Sequence, residues 1–151
     1  MSEKILSLPN GKHILIDRGI SEVILQYQQN DKFATEAGGI LIGEYRGPHL
    51  HVVDLTTPFS DDIRKKYYFH RCSPGHNQYA QKRWIASNQT QAWIGEWHTH
   101  PENFPTPSKI DIDNWQKRLP KKEMLLIIQG RIDCWYGFWN SYELSTLILR
   151  P

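Results

Sequence analysis

The chain has 151 residues, of which 39% are hydrophobic and 23% are charged, and its formal net charge at pH 7 is +2. This length predicts one domain over residues 1–151, and the composition excludes a disordered or fibrous chain. The longest strictly apolar run, residues 124–128, is far shorter than the about 20 residues that a membrane-spanning helix needs. The small net charge gives no reason to expect nucleic acid as a partner.

Hydrophobic periodicity predicts helices set among strands. From Ile20 onward, apolar residues recur at i, i+3, i+4 and i+7, as in an amphipathic helix. The predicted helices are residues 19–29, 73–88 and 108–119. The predicted strands are residues 13–17, 39–45, 51–55, 66–70, 91–98, 123–129, 131–139 and 142–149. This order predicts an α/β layered fold with a mixed sheet and flanking helices.

Two further features of the sequence bear on packing and on compartment. The second predicted helix, capped by Ser73, is expected to bury three of its side chains, Tyr79, Trp84 and Ile85. Two cysteines are too few for a disulfide framework, and residues 1–12 lack the apolar core of a signal peptide. We therefore expect a cytoplasmic protein. We also expect Cys134 to lie in the core, as free cysteines often do.

The residues that carry chemistry lie in the segment GEWHTHPENFPTPSKID, residues 95–111. His98 and His100 are two residues apart at the end of a predicted strand, so both side chains leave one face, about 6.6 Å apart. Asp111 lies in the first turn of the helix that Ser108 opens, and the proline-stiffened loop between them is long enough to bring that turn over the histidines. Two imidazoles and one carboxylate are a ligand set typical of hydrolytic zinc sites, in which water takes the fourth position.

Simpler interpretations exist for the same residues. The spacing of Ser108 and Asp111 also matches a helix capping box, with Asp in place of Glu or Gln. His49, His51 and Asp62 repeat the histidine and carboxylate spacing, but no proline follows the second histidine, and Phe59 stands at the position that corresponds to Ser108. We expect no metal at this second set.

A site that activates water also needs a general base, and two glutamates are candidates. Glu96 lies two residues before His98 on the same face of the predicted strand. Glu36 precedes the glycine-rich strand that begins GGILIG. Periodicity does not choose between them.

Taken together, these segments resemble the JAMM metalloprotease motif, also called MPN-plus or JAB. That motif is a Glu, a distant H-x-H-P, and then S-x-x-D, with seven residues between the second His and the Ser. The segments EAGGILIG at 36–43, GEWHTHP at 95–101 and SKID at 108–111 match each part in order and spacing. The resemblance spans about half of the chain.

The resemblance implies a single JAB/MPN domain with a cytidine-deaminase-like layered fold and one Zn²⁺ per chain. It implies that His98, His100 and Asp111 bind the zinc, that Glu36 is the general base, and that Ser108 stabilises the substrate carbonyl. Glu96 stands where an aromatic residue is commoner in the family, so the resemblance places it beside the site or at the surface.

Within the family, the short length and GEWHTHP look most like small bacterial members of type II CBASS operons, which act in anti-phage defence. Those operons also encode a cGAS-like nucleotidyltransferase and a fused ubiquitin-activating and conjugating enzyme. The resemblance therefore implies an isopeptidase that cuts after the extended C-terminal tail of a conjugated nucleotidyltransferase, or that trims a precursor, with the fusion enzyme as a further partner. The alternatives are a JAB peptidase acting on another sulfur-carrier or ubiquitin-like protein, and a non-catalytic MPN-type scaffold.

A few remaining residues have less specific interpretations. His70, Cys72 and His76 lack a fourth zinc ligand, so we expect packing or exposed residues rather than a second metal site. Trp97 and Trp115 flank the predicted site and are expected to line a groove for a peptide tail. Basic clusters, which are usually solvated but can steer an acidic partner, occur at residues 64–66, 82–83, 117–118 and 121–122.

Overall fold

A computed structural model describes residues 3–150; Met1, Ser2 and Pro151 of the expected domain lie outside the described residues. The helices are α1 Arg18–Leu25, α2 Gly75–Ala86 and α3 Lys109–Arg118. The strands are β1 Lys4–Ser7, β2 His13–Ile16, β3 Gly38–Arg46, β4 His49–Leu55, β5 Ile63–Lys65, β6 Tyr68–His70, β7 Ala92–Thr99, β8 Met124–Gln129, β9 Cys134–Trp139, β10 Leu144–Thr146 and β11 Ile148–Leu149. None of the helices in this part of the chain is long and apolar enough to cross a membrane.

The main sheet is mixed, as the sequence predicts. Its strand order is β10-β9-β8-β7-β3-β4-β2-β1-β11, and β5 pairs with β6 in a separate hairpin. Two pairs are parallel, β2 with β4 and β7 with β8, and the other pairs are antiparallel. The edge strands β10 and β11 are separated by Leu147 alone, whose N–H donates to the Tyr136 carbonyl. Because a single residue spans so little distance, the sheet curls until its two edges meet.

Helices α1 and α3 cover opposite faces of this sheet. In β8, Leu125 and Ile127 join the core that contains the apolar face of α1, whereas Leu126 and Ile128 join the core under Trp115 of α3. Alternation along the strand explains this division, since successive side chains point to opposite faces. A strand buried on both faces is expected to be apolar throughout, as MLLIIQ nearly is.

The pairing of β3 with β7 positions the residues of the predicted site. The two strands are antiparallel, with Gly38 opposite His98 and Gly39 opposite Trp97. The start of β3 and the end of β7 therefore lie at the same edge. Glycine is required at position 39, because a Cβ there would lie 2.0 Å from the Thr56 carbonyl oxygen.

Several predicted bounds differ from the structure. α1 ends at Leu25 and not at residue 29. Residues 26–28 form tighter backbone hydrogen bonds, each to the residue three positions earlier, and the Gln29 side chain donates to the Lys66 carbonyl. The strand predicted at 142–149 is divided at Leu147 into β10 and β11, and the strand predicted at 131–139 begins only at Cys134, after a tight turn. β1 and β5 were not predicted, since each is short and β1 depends on distant pairing with β2 and β11.

The expectation for α2 was wrong in its packing. Trp84 is 41% exposed and Ile85 is 66% exposed, and the buried residue of this helix is His76. The helix therefore faces the sheet through a polar group rather than an apolar stripe. Its start also differs by one residue, since Pro74 is the N-cap and the Ser73 hydroxyl accepts from the Gly75 N–H.

His76 is satisfied by a buried chain of hydrogen bonds. The Ile40 N–H donates to Thr56 Oγ1, which lies 2.6 Å from His76 Nδ1, and His76 Nε2 lies 2.6 Å from Asp62 Oδ2. The other Asp62 oxygen accepts from the Ser73 N–H. Neutral imidazole with its proton on Nε2 fulfils both contacts, because the hydroxyl can then donate to Nδ1. This network joins α2 to the sheet.

We expect the contribution of His76 to stability to fall on acidification. Burial lowers its pKa below the usual 6.5, although Asp62 opposes the shift. As the pH falls through about 6.5, the unfolded chain therefore binds more protons than the folded chain does. The stabilisation by neutral His76 is present above that pH and is lost below it. Urea unfolding at about pH 7.5 and about pH 5.5 should show that the stability gap between wild type and His76→Gln narrows in acid. A gap that stays constant would contradict the neutral assignment.

Candidate metal centre

His98 and His100 converge at the end of β7, as their spacing predicts. Their Nε2 atoms lie 3.0 Å apart, and their ring centroids lie 4.8 Å apart. Both side chains are buried, and the His100 N–H donates to the Gln129 carbonyl of the neighbouring strand β8. Two imidazole nitrogens this close must share one proton or one cation.

Asp111 reaches the same point from the first turn of α3. Its Oδ1 lies 3.2 Å from His98 Nε2, and its Oδ2 lies 3.0 Å from His100 Nε2. The same carboxylate accepts from the Ser108 N–H at 2.8 Å, while the Ser108 hydroxyl accepts from the Asp111 N–H at 3.1 Å. Ser108 and Asp111 therefore form a capping box, and the Asp111 carboxylate also faces the histidines.

These donors fit a tetrahedral zinc ion. Zinc bonds of about 2.0–2.1 Å to nitrogen and oxygen place neighbouring ligand atoms about 3.3 Å apart along the edges of the tetrahedron. The two Nε2 atoms are 3.0 Å apart, and each lies 3.0–3.2 Å from one of the two Asp111 oxygens, which is close to that edge length. Three protein donors leave one position for water or substrate, which is the composition of a hydrolytic site rather than a structural one.

Glu36 lies beside these donors but is not as close. A carboxylate oxygen of Glu36 and the imidazole nitrogens of both histidines lie within 4.8 Å of one another. The β5–β6 hairpin holds its backbone, since the Glu36 N–H donates to the Lys65 carbonyl and the Arg64 guanidinium donates to the Glu36 carbonyl. Its buried carboxylate makes no hydrogen bond with any of residues 3–150, which leaves it available to a water.

Burial and charge shift the pKa values in this cluster. Burial raises the pKa of Glu36 to about 7, although the charges of His98 and His100 oppose the shift. Burial also raises the pKa of Asp111, but His98 and His100 outweigh it, and the net shift is downward. The pKa of His100 is raised, because Asp111, Glu36 and Glu102 together outweigh its burial. The acidic surroundings thus favour a positive charge at the His100 imidazole.

Glu102 is a residue of the site that the sequence analysis did not identify. Its Oε1 lies 2.6 Å from His100 Nδ1, on the side of the ring away from Asp111. A carboxylate in that place fixes the tautomer and the orientation of the imidazole, which leaves Nε2 free to bind. The signal was present in the sequence, as an acidic residue two positions after His100 at the start of the loop.

Glu96, the other candidate base, has both carboxylate oxygens engaged. Oε1 accepts from the Trp115 indole N–H at 2.6 Å, and Oε2 accepts from the Arg71 guanidinium at 3.2 Å. The Trp115 ring centroid lies 6.2 Å from that of His98. Glu96 therefore supports the wall beside the site, whereas the Glu36 carboxylate has no hydrogen-bond partner within residues 3–150.

A pocket of about 70 Å³ adjoins His98 and Asp111, and Arg71 and Trp115 line it. Trp97 borders this pocket, yet the residue is 1% exposed and its indole N–H donates to the Thr56 carbonyl. Both tryptophans therefore border the pocket, as expected, but alternation along β7 turns the Trp97 ring into the core.

The other histidine sets have structural partners. His51 Nε2 lies 2.7 Å from an Asp17 oxygen, and Asp62 holds His76. Cys72 is exposed with a free thiol. Among residues 3–150, Glu36, His98 and His100 bring ligand atoms within 4.8 Å of one another, and Asp111 contacts both of these histidines. Within that range, the residues of the two alternative sets do not come together in this way.

Comparison with known proteins agrees with this geometry. A family model described as prokaryotic homologs of the JAB domain matches residues 21–142. The chain belongs to this JAB-domain family. A protein of Escherichia coli named CD-NTase/cGAS isopeptidase is 38% identical over 141 residues, which cover 91% of this chain and 88% of that protein. A protein of Vibrio cholerae with the same name is 41% identical over 128 residues, covering 84% and 81%.

The fold is also found in a solved structure. The solution structure of a Desulfitobacterium hafniense protein superimposes with a TM-score of 0.61, at 16% sequence identity, over 87% of each chain. At that identity the likeness concerns the fold alone. The expected JAB-like α/β fold is confirmed.

We expect Zn²⁺ to stabilise the JAB-domain chain through His98. A ligand present at 1,000 times its Kd stabilises the folded state by about 4.1 kcal/mol, so the melting temperature should rise with zinc and fall with a chelator. His98→Ala should lose this response and the bound zinc, measured by elemental analysis. His51→Ala is the matched control, because His51 has the same spacing but pairs with Asp17. Full zinc occupancy in His98→Ala would refute the assignment.

Proposed function

We propose that this JAB-domain protein is a zinc-dependent isopeptidase that cleaves the amide after the C-terminus of a conjugated cGAS-like nucleotidyltransferase. The observation that carries the proposal is the cluster of His98, His100 and Asp111 donors at 3.0–3.2 Å, with the unpaired Glu36 carboxylate beside it. The names of the E. coli and V. cholerae relatives support the choice of substrate.

His98, His100 and Asp111 would hold the zinc ion in this mechanism. Bound zinc supplies Lewis acidity, which makes water a stronger acid and polarises a carbonyl at neutral pH. Glu36 takes a proton from the attacking water and passes it to the leaving amine, which for an isopeptide is a lysine side chain. Its burial keeps the carboxylate away from bulk solvent, so it exchanges protons with the reacting groups.

Ser108 and Glu102 complete the roles that we assign. The Ser108 hydroxyl accepts from the Asp111 N–H, so its own proton is free to donate to the oxygen of the scissile carbonyl. Loss of such a donor costs roughly 2.7–4 kcal/mol in comparable sites. Glu102 fixes the His100 ring, so that Nε2 points at the ion.

Substrate recognition rests on the surface around the cluster. The pocket beside His98 and Asp111 is lined by Arg71 and Trp115, and we infer that it receives part of an extended tail. We infer that a few tail residues and one further surface of the nucleotidyltransferase determine specificity. The activating and conjugating fusion enzyme of a CBASS operon would form the conjugate that this protein removes. The free thiols of Cys72 and Cys134 accord with action in the cytoplasm.

A complete donor set distinguishes the proposal from a scaffold function. A non-catalytic scaffold needs no cation, so two buried imidazole nitrogens and a carboxylate at 3.0–3.2 Å would serve no purpose of binding in it. A JAB peptidase that acts on another ubiquitin-like protein would use the same residues, and the substrate experiment below separates that alternative.

Replacing the proposed base should remove activity without removing zinc. Glu36→Gln keeps the size of the side chain and cannot accept the proton, so we expect turnover to fall by roughly 100- to 10,000-fold. Glu96→Gln is the matched control, because it is an equally conservative change at a carboxylate that is already hydrogen-bonded. Zinc content should equal that of the wild type in both variants. Greater loss of activity in Glu96→Gln than in Glu36→Gln would identify the other glutamate as the base.

Substrate class can be tested with C-terminal fusions. We expect cleavage just after the last residue of a cGAS-like nucleotidyltransferase fused to a reporter, with the position located by mass spectrometry. A fusion with a scrambled tail and a ubiquitin conjugate should remain uncut, because recognition uses the tail. Equal cleavage of all three, or cleavage of the ubiquitin conjugate alone, would overturn the substrate assignment while leaving the metal site intact.

A further inference from the structure

Thr99, between the two histidines, faces the opposite side of β7. Successive side chains of a strand alternate, so His98 and His100 point toward α3 while Thr99 points into the molecule. Thr99 is completely buried. Its hydroxyl accepts from the Ala37 N–H at 3.0 Å, and its own N–H donates to the Ala37 carbonyl at 2.9 Å. Ala37 directly follows Glu36, so this double contact ties the residue after the proposed base to the residue between the histidines.

The Thr99 hydroxyl donates in turn to Gln29, which lies beyond the end of α1. The distance from Thr99 Oγ1 to Gln29 Oε1 is 2.9 Å. The Gln29 amide nitrogen donates to the Ala34 carbonyl at 3.3 Å and to the Lys66 carbonyl at 2.9 Å. The Gln29 side chain therefore joins three segments: the strand with the histidines, the chain leading to Glu36, and the hairpin that holds the Glu36 backbone.

The side-chain groups of Gln29 and Thr99 are all hydrogen-bonded, and the direction of each bond is fixed. Gln29 is completely buried, so it has no solvent to replace a lost partner. A flipped amide would place Oε1 against the carbonyl oxygens of Ala34 and Lys66, and its NH₂ group against the Thr99 hydroxyl. Since buried polar groups are costly to leave unpaired, the network has one stable arrangement.

We propose that Gln29 and Thr99 are positioning residues that hold Glu36 at its working distance from His98 and His100. Neither residue touches the substrate or the reacting atoms, so they act through the backbone of residues 34–37. The inference rests on the proposed role of Glu36 as the base. A base that shifts by about 1 Å can lose roughly 100-fold in rate, so a network that fixes its backbone affects turnover directly.

Thr99→Val tests the hydroxyl at constant shape. It leaves the Ala37 N–H and Gln29 Oε1 unpaired, and we expect kcat to fall by roughly 10- to 100-fold with little change in KM and full zinc occupancy. Thr99→Ser keeps the hydroxyl and should restore kcat. Amide hydrogen exchange should be faster over residues 34–37 in Thr99→Val and normal in Thr99→Ser, which gives a readout that is independent of activity.

Thr56→Val is a matched control for the loss of a buried hydroxyl. The Thr56 hydroxyl also accepts from a backbone N–H, that of Ile40, and also contacts a buried side chain, His76. Both valine variants should lower the melting temperature to a similar extent. Only Thr99→Val should lower kcat and expose residues 34–37 to exchange, because the hydrogen bonds of Thr56 go to Ile40, His76 and Trp97 and not to that segment.

Gln29→Glu tests the other member of the pair. The carboxylate has the shape of the amide but sets an oxygen against the Ala34 and Lys66 carbonyls, so exchange over residues 34–37 should again accelerate and kcat should fall. The inference is overturned if Thr99→Val and Thr99→Ser have equal kcat and equal exchange, or if Thr56→Val loses as much kcat as Thr99→Val. Full activity in Glu36→Gln would instead refute the proposed base, whereas the exchange data would still report on the network.

Discussion

Gly38 and His98 lie opposite each other in the antiparallel pair of β3 and β7, and this register brings the site together. It places the residues just before β3 next to the residues at the end of β7, so Glu36 meets histidines that are more than 60 residues away in sequence. A shift of one residue would turn His98 and His100 into the core and Thr99 toward α3. The close contact of Gly39 with the Thr56 carbonyl opposes such a shift, because a side chain at that position has no space.

Asp111 couples the start of α3 to the histidines. Its carboxylate accepts the Ser108 N–H and also faces two imidazole nitrogens, so a local capping interaction and the candidate metal centre share one group. Removing the carboxylate would weaken the helix start and would also take away a counter-charge that lies within 3.2 Å of both buried imidazoles. The helix packs through Trp115 on the sheet, which fixes the direction from which Asp111 approaches.

Features with local causes could be predicted from the sequence, and features with distant causes could not. The spacing of His98 and His100, and the helix start at Ser108, follow from strand alternation and capping, which involve neighbouring residues only. The exposure of Trp84 and Ile85 was missed, because the buried Asp62 and His76 pair gives α2 a polar contact with the rest of the fold. Local periodicity does not reveal such a pair, since its members come from different elements.

The positions of Glu36 and Gln29 also depend on tertiary contacts that local sequence patterns do not reveal. Periodicity does not distinguish Glu36 from Glu96 as candidate bases. Their tertiary contacts do: Glu96 accepts hydrogen bonds from Trp115 and Arg71, whereas the Glu36 carboxylate has no side-chain partner among the described residues. The sequence pattern predicts Gln29 as the last residue of an amphipathic helix. In the structure its side-chain amide instead forms hydrogen bonds with residues 34, 66 and 99. A helix that continued through Gln29 would direct this amide elsewhere and leave those partners unpaired. The early end of α1 and the hydrogen bonds of Gln29 with residues 34, 66 and 99 therefore depend on each other. These hydrogen bonds also depend on the register of β3 and β7, which places Thr99 beside Ala37.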